Sequence, residues 1–183
     1  LKTHYLDIKK QKAKFQKDFF LQNLQLDKKE TKSPWTREDN PVIALIFDKE
    51  IQKSQELDLA QLRKGFEKLH VPSIECQIST NFQDEKTFSQ IEKAANIADM
   101  AIFLCTEISE SHEKAIRLAM SLGAVPIVPT NNFFEQFNPI SEKGVCFMYE
   151  KLDKWLVFEA FVRAKTNFHF PYDWQHLVEN CLK

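Results

Sequence analysis

The feature that most constrains this chain is an apolar run without alternation, Val42-Ile43-Ala44-Leu45-Ile46-Phe47. A strand with one wet face alternates apolar and polar residues. This run does not, so it predicts a strand buried on both faces, as in a parallel sheet covered by helices. The flanking sequence supplies the helices. Leu59, Leu62, Phe66 and Leu69 recur at helical spacing, and Pro72 separates them from a second strand near Ile74–Ile78. Phe88, Ile91, Ala95 and Ala98 mark the next helix, and Met100–Cys105 a third strand. Glu110–Leu122 is a third helix of this series, with Ala115, Ile116, Ala119 and Met120 inward and Gly123 as its stop. Val125–Val128 and Val145–Tyr149 are the fourth and fifth strands, and helices around Trp155–Thr166 and Trp174–Leu182 close the chain.

Repeated strand–helix units imply parallel strands, and the expected fold class is α/β, a doubly wound, Rossmann-like parallel sheet. Its 183 residues suit one domain with a real core. Residues 1–41 are read as an N-terminal helix and a polar connector, 42–150 as the Rossmann-like core and 151–183 as closing helices. The first helix, from about Tyr5 to Leu26, is expected to turn Phe15, Phe19 and Leu21–Leu24 toward the core. Its lysines, Lys9, Lys10, Lys12, Lys14 and Lys17, read as a solvated face.

Composition narrows the function classes. The net charge of −1 gives no broad polyanion-binding surface, so no nucleic-acid partner is expected. Cys76, Cys105, Cys146 and Cys181 are widely spaced, which argues for reduced core thiols in a cytosolic-type compartment rather than a disulfide frame or zinc site. No apolar run approaches the roughly 18 residues of a membrane span, no signal peptide is visible, and no metal or cofactor is expected. The first residue is not Met, which fits an excised domain or part of a longer protein.

Ligands of doubly wound sheets bind outside the carboxyl ends of the strands, at helix N-termini. The loops after Phe47, Cys105 and Val128 are therefore the places where chemistry is expected. The glycines that phosphate-cradling loops usually need are scarce, only 3 in the chain.

Several strings resemble a known family. Ala98-Asp99-Met100-Ala101-Ile102-Phe103-Leu104-Cys105, then Glu110, then Ala119-Met120-Ser121-Leu122-Gly123-Ala124-Val125-Pro126-Ile127-Val128 resemble the C-terminal half of bacterial glycogen synthases and plant starch synthases. In that family "AD-x-F-L-x-P-S" leads to "E-P-C-G-L" and then to "A-M-x-x-G-x-x-P-(I/V)-V". Lys12–Leu26, Leu45–Ser54, Gly144–Glu150 and Leu156–Leu177 resemble further family segments in the same order.

The resemblance implies a GT-B C-terminal domain of a retaining glucosyltransferase. Such a half holds an ADP- or UDP-glucose donor, while a separate N-terminal half contributes the acceptor glucan site. It assigns Lys53 to neutralising the donor diphosphate and Glu110 to contacting the glucose. Ser111, His112, Thr130, Asn131 and Asn132 fall on donor-binding loops.

Other family positions depart from the pattern. Asp48 stands where the family has an arginine, Ser111-His112-Glu113-Lys114 replaces Pro-Cys-Gly-Leu, and Thr130-Asn131-Asn132 replaces Thr-Gly-Gly. The residues have plainer readings as well. Lys53 reads equally as a solvated lysine, Glu110 and Glu113 as complements to a helix dipole, and His112 as a capping-region histidine rather than a general base. The competing functions are an eroded, non-catalytic relative kept as a scaffold or regulatory domain, a working donor half, and a divergent GT-B member with another donor. Asp48 and Glu113, with the missing glycines, favour the first.

Overall fold

The structure is a computed structural model that describes residues 2–23, 40–52, 57–78 and 84–183. Five strands form one all-parallel sheet: β1 (Ile43–Asp48), β2 (Ser73–Ile78), β3 (Met100–Phe103), β4 (Val125–Pro129) and β5 (Phe147–Tyr149), in the order β2-β1-β3-β4-β5. Register places Ile43 beside both Ser73 and Met100, and Ile127 beside Phe147. The expected doubly wound, Rossmann-like sheet is what forms. Its order is the five-strand variant, so β2 is an edge where the six-strand dinucleotide order has a further strand beyond it.

Seven helices surround the sheet among the described residues: α1 (Lys2–Asn23), α2 (Lys49–Gln52), α3 (Leu59–Lys68), α4 (Glu85–Ile97), α5 (Glu110–Ser121), α6 (Lys154–Phe168) and α7 (Pro171–Cys181). α3 packs against α6, while α4 packs against α5 and α1, and α5 against α7. With helices on both sides, β1 is buried from Ile43 to Phe47 and β3 along its whole length, which is why neither alternates. Each βα unit buries the stripe its spacing predicts: Leu59, Leu62 and Phe66 on α3; Ile91, Ala94 and Ala95 on α4; Ala115, Ile116, Ala119 and Met120 on α5. α5 stops at Gly123, whose φ of +75° is the left-handed cap conformation that favours glycine.

The first helix departs from expectation. Phe15 is exposed, and the residues that turn inward are Tyr5, Ile8, Lys12 and Gln16. Phe19 and Leu21–Leu24 lie outside the side chains described. Lys9, Lys10 and Lys14 are solvated as read, but Lys12 is only 5% exposed. Its partners are backbone carbonyls of α4's last turn, which no local pattern in α1 announces.

The β5 edge is closed by side chains. Met148 N–H donates to Gln136 Oε1 at 2.9 Å, and Arg163 Nη2 donates to Met148 O at 2.6 Å. Glu159 holds that guanidinium through two bonds, at 2.6 and 3.1 Å. Cys76, Cys105, Cys146 and Cys181 are free and buried, in keeping with reduced core thiols. No helix among the described residues is long and apolar enough to cross a membrane.

Candidate functional site

The strand order reverses direction between β1 and β3: the chain leaves β1 toward β2 on one side and leaves β3 toward β4 on the other. That reversal opens a crevice at the carboxyl ends of β1 and β3, the usual ligand position in such sheets. Its walls are Asp48 at the end of β1, Leu104 and Cys105 after β3, and the start of α5.

The sequence gives each wall a cap of its own. Asp48 ends β1 and begins α2; its Oδ1 accepts from the backbone N–H of Glu50 and of Ile51, both at 2.8 Å. Ser109 is the N-cap of α5 and His112 its N3 residue. Ser109 Oγ accepts the His112 N–H at 3.4 Å, and His112 Nδ1 accepts the Ser109 N–H at 3.3 Å, a reciprocal capping box. Ser109 Oγ also lies 2.6 Å from His112 Nδ1 and 2.8 Å from Ser111 Oγ. An Nδ1 that accepts a backbone N–H carries no proton, so the neutral Nε2–H tautomer fits. In agreement, partial burial lowers the His112 pKa below its ordinary value, with the Asp48 charge offsetting part of the effect.

A serine hydroxyl within reach of a histidine is nominally a nucleophile and its base. Here the same hydroxyl is committed to the helix start, and neither residue lines either of the two hollows described below. Cys105 is no alternative nucleophile. It is buried, and burial raises its thiol to about 12.

Tyr149 holds the floor of the crevice. Its hydroxyl accepts from Cys105 N–H at 3.2 Å and faces the carbonyls of Phe103 and Cys105 at 2.7 and 2.8 Å. A side chain on β5 thus ties off the end of β3 across β4. The expectation of a fifth strand ending at Tyr149 contained no hint of this role, because the partners lie more than 40 residues away.

The expected site residues are brought partly together. Glu110 is the first residue of α5 and is exposed, and Ser111 and His112 follow it at the crevice. Lys53 lies outside the described residues. Thr130 follows β4, with its N–H and Oγ1 both on Tyr149 O, at 2.9 and 3.3 Å. Asn131 is spent on its own turn: Oδ1 accepts from Phe133 and Phe134 N–H at 2.9 Å, and Nδ2 donates to Pro129 O at 2.8 Å. Asn132 is exposed on the same loop. Glu113 does not point a bare charge at the crevice. It pairs with Arg117 at 2.8 Å, and Arg117 lies over the Phe134 ring at 5.3 Å.

Two hollows lie elsewhere. A groove of about 700 Å³ runs between α5, the β4–β5 connection and the end of α7, lined by residues such as Arg117, Met120, Phe134, Val145 and Cys181. A second, of about 490 Å³, sits against β5 and α6 and includes Thr130 with Glu150, Glu159 and Arg163. Among the described residues no group of three or more His, Cys, Asp and Glu side chains is placed to hold a metal ion. No protein-family model matches the chain, and no curated protein matches it.

Proposed function

We propose that this chain is a non-catalytic relative of the glycogen and starch synthase donor half, working as a scaffold or regulatory domain that binds a partner. The observation that carries the reading is that both helix starts at the crevice carry caps from within: Asp48 takes the Glu50 and Ile51 N–H groups of α2, and Ser109 takes the His112 N–H of α5. A donor diphosphate needs such N–H groups, and a cation, to receive its charge. Here it would meet the Asp48 carboxylate, where the resemblance expects an arginine. A carboxylate facing a diphosphate with no cation between them repels it, and in a desolvated site the repulsion costs on the order of several kcal/mol. The turn after β4 is likewise closed by Asn131, which binds its own backbone. The four free, buried thiols suit a reducing, cytosolic-type compartment.

Calorimetric titration of the folded protein with ADP, UDP, ADP-glucose and UDP-glucose tests this. The expected result is no saturable binding at millimolar ligand, with circular dichroism confirming a folded sample. Saturable binding that disappears in Lys53→Ala would overturn it. That result would favour a working donor half, in which Glu110 places the sugar and a separate acceptor half supplies the glucan.

A further inference from the structure

The opposite end of the sheet carries a feature this reading leaves unused. α1 is a helix of 22 residues lying against α4 and α7. Among the described side chains, its docking face is Tyr5, Ile8, Lys12 and Gln16, one residue per turn. The apolar members, Tyr5 and Ile8, are only partly buried, whereas the deeply buried members are polar. Lys12 Nζ donates to Ala95 O at 2.9 Å and to Ala98 O. Gln16 Nε2 donates to Ile97 O at 2.7 Å and to Asp99 Oδ2 at 3.2 Å. Apart from Asp99, a carboxylate just before β3, these are carbonyls at the end of α4, where a helix has no partners of its own and carries partial negative charge.

Such a contact is specific, and burying its polar part is costly. An ammonium is removed from water, and Gln16 Oε1 is buried with no hydrogen-bond partner among the described residues. Among the described side chains the apolar part is Tyr5 and Ile8, and Ile8 Cγ2 would lie 2.7 Å from a Cβ on Gly123, so the arm seats where a glycine leaves space. Beneath it, Ile91, Ala94 and Ala95 of α4 belong to the hydrophobic core that the sheet shares.

We propose that α1 is a releasable arm, which leaves α4 and α7 as one unit while the five-stranded sheet stays folded. Release bares the last carbonyls of α4, the Asp99 carboxylate and the hollow at Gly123, a socket of hydrogen-bond acceptors matched to an amine and an amide on one helix face. Proton uptake couples to this step. Lys12 is faced by Asp99 at the start of β3 and by Cys181 on α7, and Tyr5 on the arm faces Asp99 and Glu179. Burial pushes the Lys12 amine down to about 8, with Asp99 offsetting part of the shift. An undocked lysine regains its ordinary value, so the released state holds more protons, and docking tightens as pH rises through 8 toward the lysine range. From pH 6.5 to 9 the tightening is about tenfold.

Native-state hydrogen exchange on the full chain, corrected for intrinsic rates and followed through a urea series, tests this. Backbone amides of α1 are expected to open at least tenfold more often than those of β3 and α5, with a weaker urea dependence. Their opening should fall about tenfold between pH 6.5 and 9, and Lys12→Met should flatten that dependence while β3 stays protected. Exchange of α1 at the rate and urea dependence of β3 overturns the proposal. So does opening of α1 that is independent of pH in the wild-type protein, a measurement that needs no variant to fold.

Discussion

The two ends of this sheet satisfy their helices by opposite means. At the carboxyl end, the starts of α2 and α5 are capped by residues two or three positions away: Asp48 for Glu50 and Ile51, Ser109 for His112. At the amino end, the last turn of α4 is capped by Lys12 and Gln16, which lie more than 80 residues earlier. A local cap forms with its helix and costs little chain entropy. A distant one forms only when a separate element docks, so it reports on tertiary assembly. The end where the fold expects a ligand is thus closed locally, and the end where none is expected is closed by a detachable piece.

That contrast can be broken in several places. The largest effect is expected from Tyr149→Phe, because the carboxyl end also has one long-range tie. Removing the hydroxyl leaves Cys105 N–H and two carbonyls buried without it, at a cost of about 3 kcal/mol, read as a lowered denaturation midpoint. A loss under about 1 kcal/mol would mean that the crevice floor is held by its local caps alone.

Gly123→Ala comes next, at about 2 kcal/mol. The new methyl would sit at a φ of +75° and 2.7 Å from Ile8 Cγ2. The strain falls on the arm, so exchange of α1 amides should accelerate more than that of β3. Equal acceleration in both would show that the arm and the sheet open together.

Ser109→Ala should cost about 1 kcal/mol, the ordinary value of an N-cap, and should also change the pH profile. The His112 pKa is lowered in the folded chain, so the unfolded chain takes up the proton first as pH falls. Stability that is fully present above the ordinary histidine value of about 6.5 is therefore lost on acidification below it. Urea midpoints between pH 5 and 7.5 should show that loss in the wild-type protein and less of it in His112→Gln. The smallest effect is expected at the exposed pair of Arg63 and Glu75: Arg63→Ala should move the midpoint by no more than about 0.5 kcal/mol.

Legibility in the sequence follows the same local–distant division. The buried runs of β1 and β3, and the stripes of α3, α4 and α5, were predictable because each arises from residues a few positions apart. The glycine stop of α5 was readable for the same reason. Lys12 was misread as solvated because a lysine among lysines has no local mark of burial; only α4's carbonyls, far along the chain, make that burial tolerable.

At the candidate site, the position of Glu110, Ser111 and His112 at a helix start was legible, and so was the unusual Asp48. What Asp48 does was not: the short α2 that it caps had no periodic signal of its own, being Lys49–Gln52. Arg117 was also missed. Its pairing with Glu113 follows from the i,i+4 spacing, which was available in the sequence and alters the charge that Glu113 presents.

The plugged β5 edge bears on how copies of this chain can meet. Head-to-tail stacking of sheets needs two open edges per molecule, one to give and one to receive, and it can continue without limit. With Gln136 and Arg163 occupying the outward N–H and C=O of Met148, the β5 side has nothing to offer an incoming strand. Any pairing through sheet edges is then confined to β2 against β2, a twofold arrangement that uses up both partners. Among the described residues, that closed pairing is allowed and a continuing stack finds no second open edge.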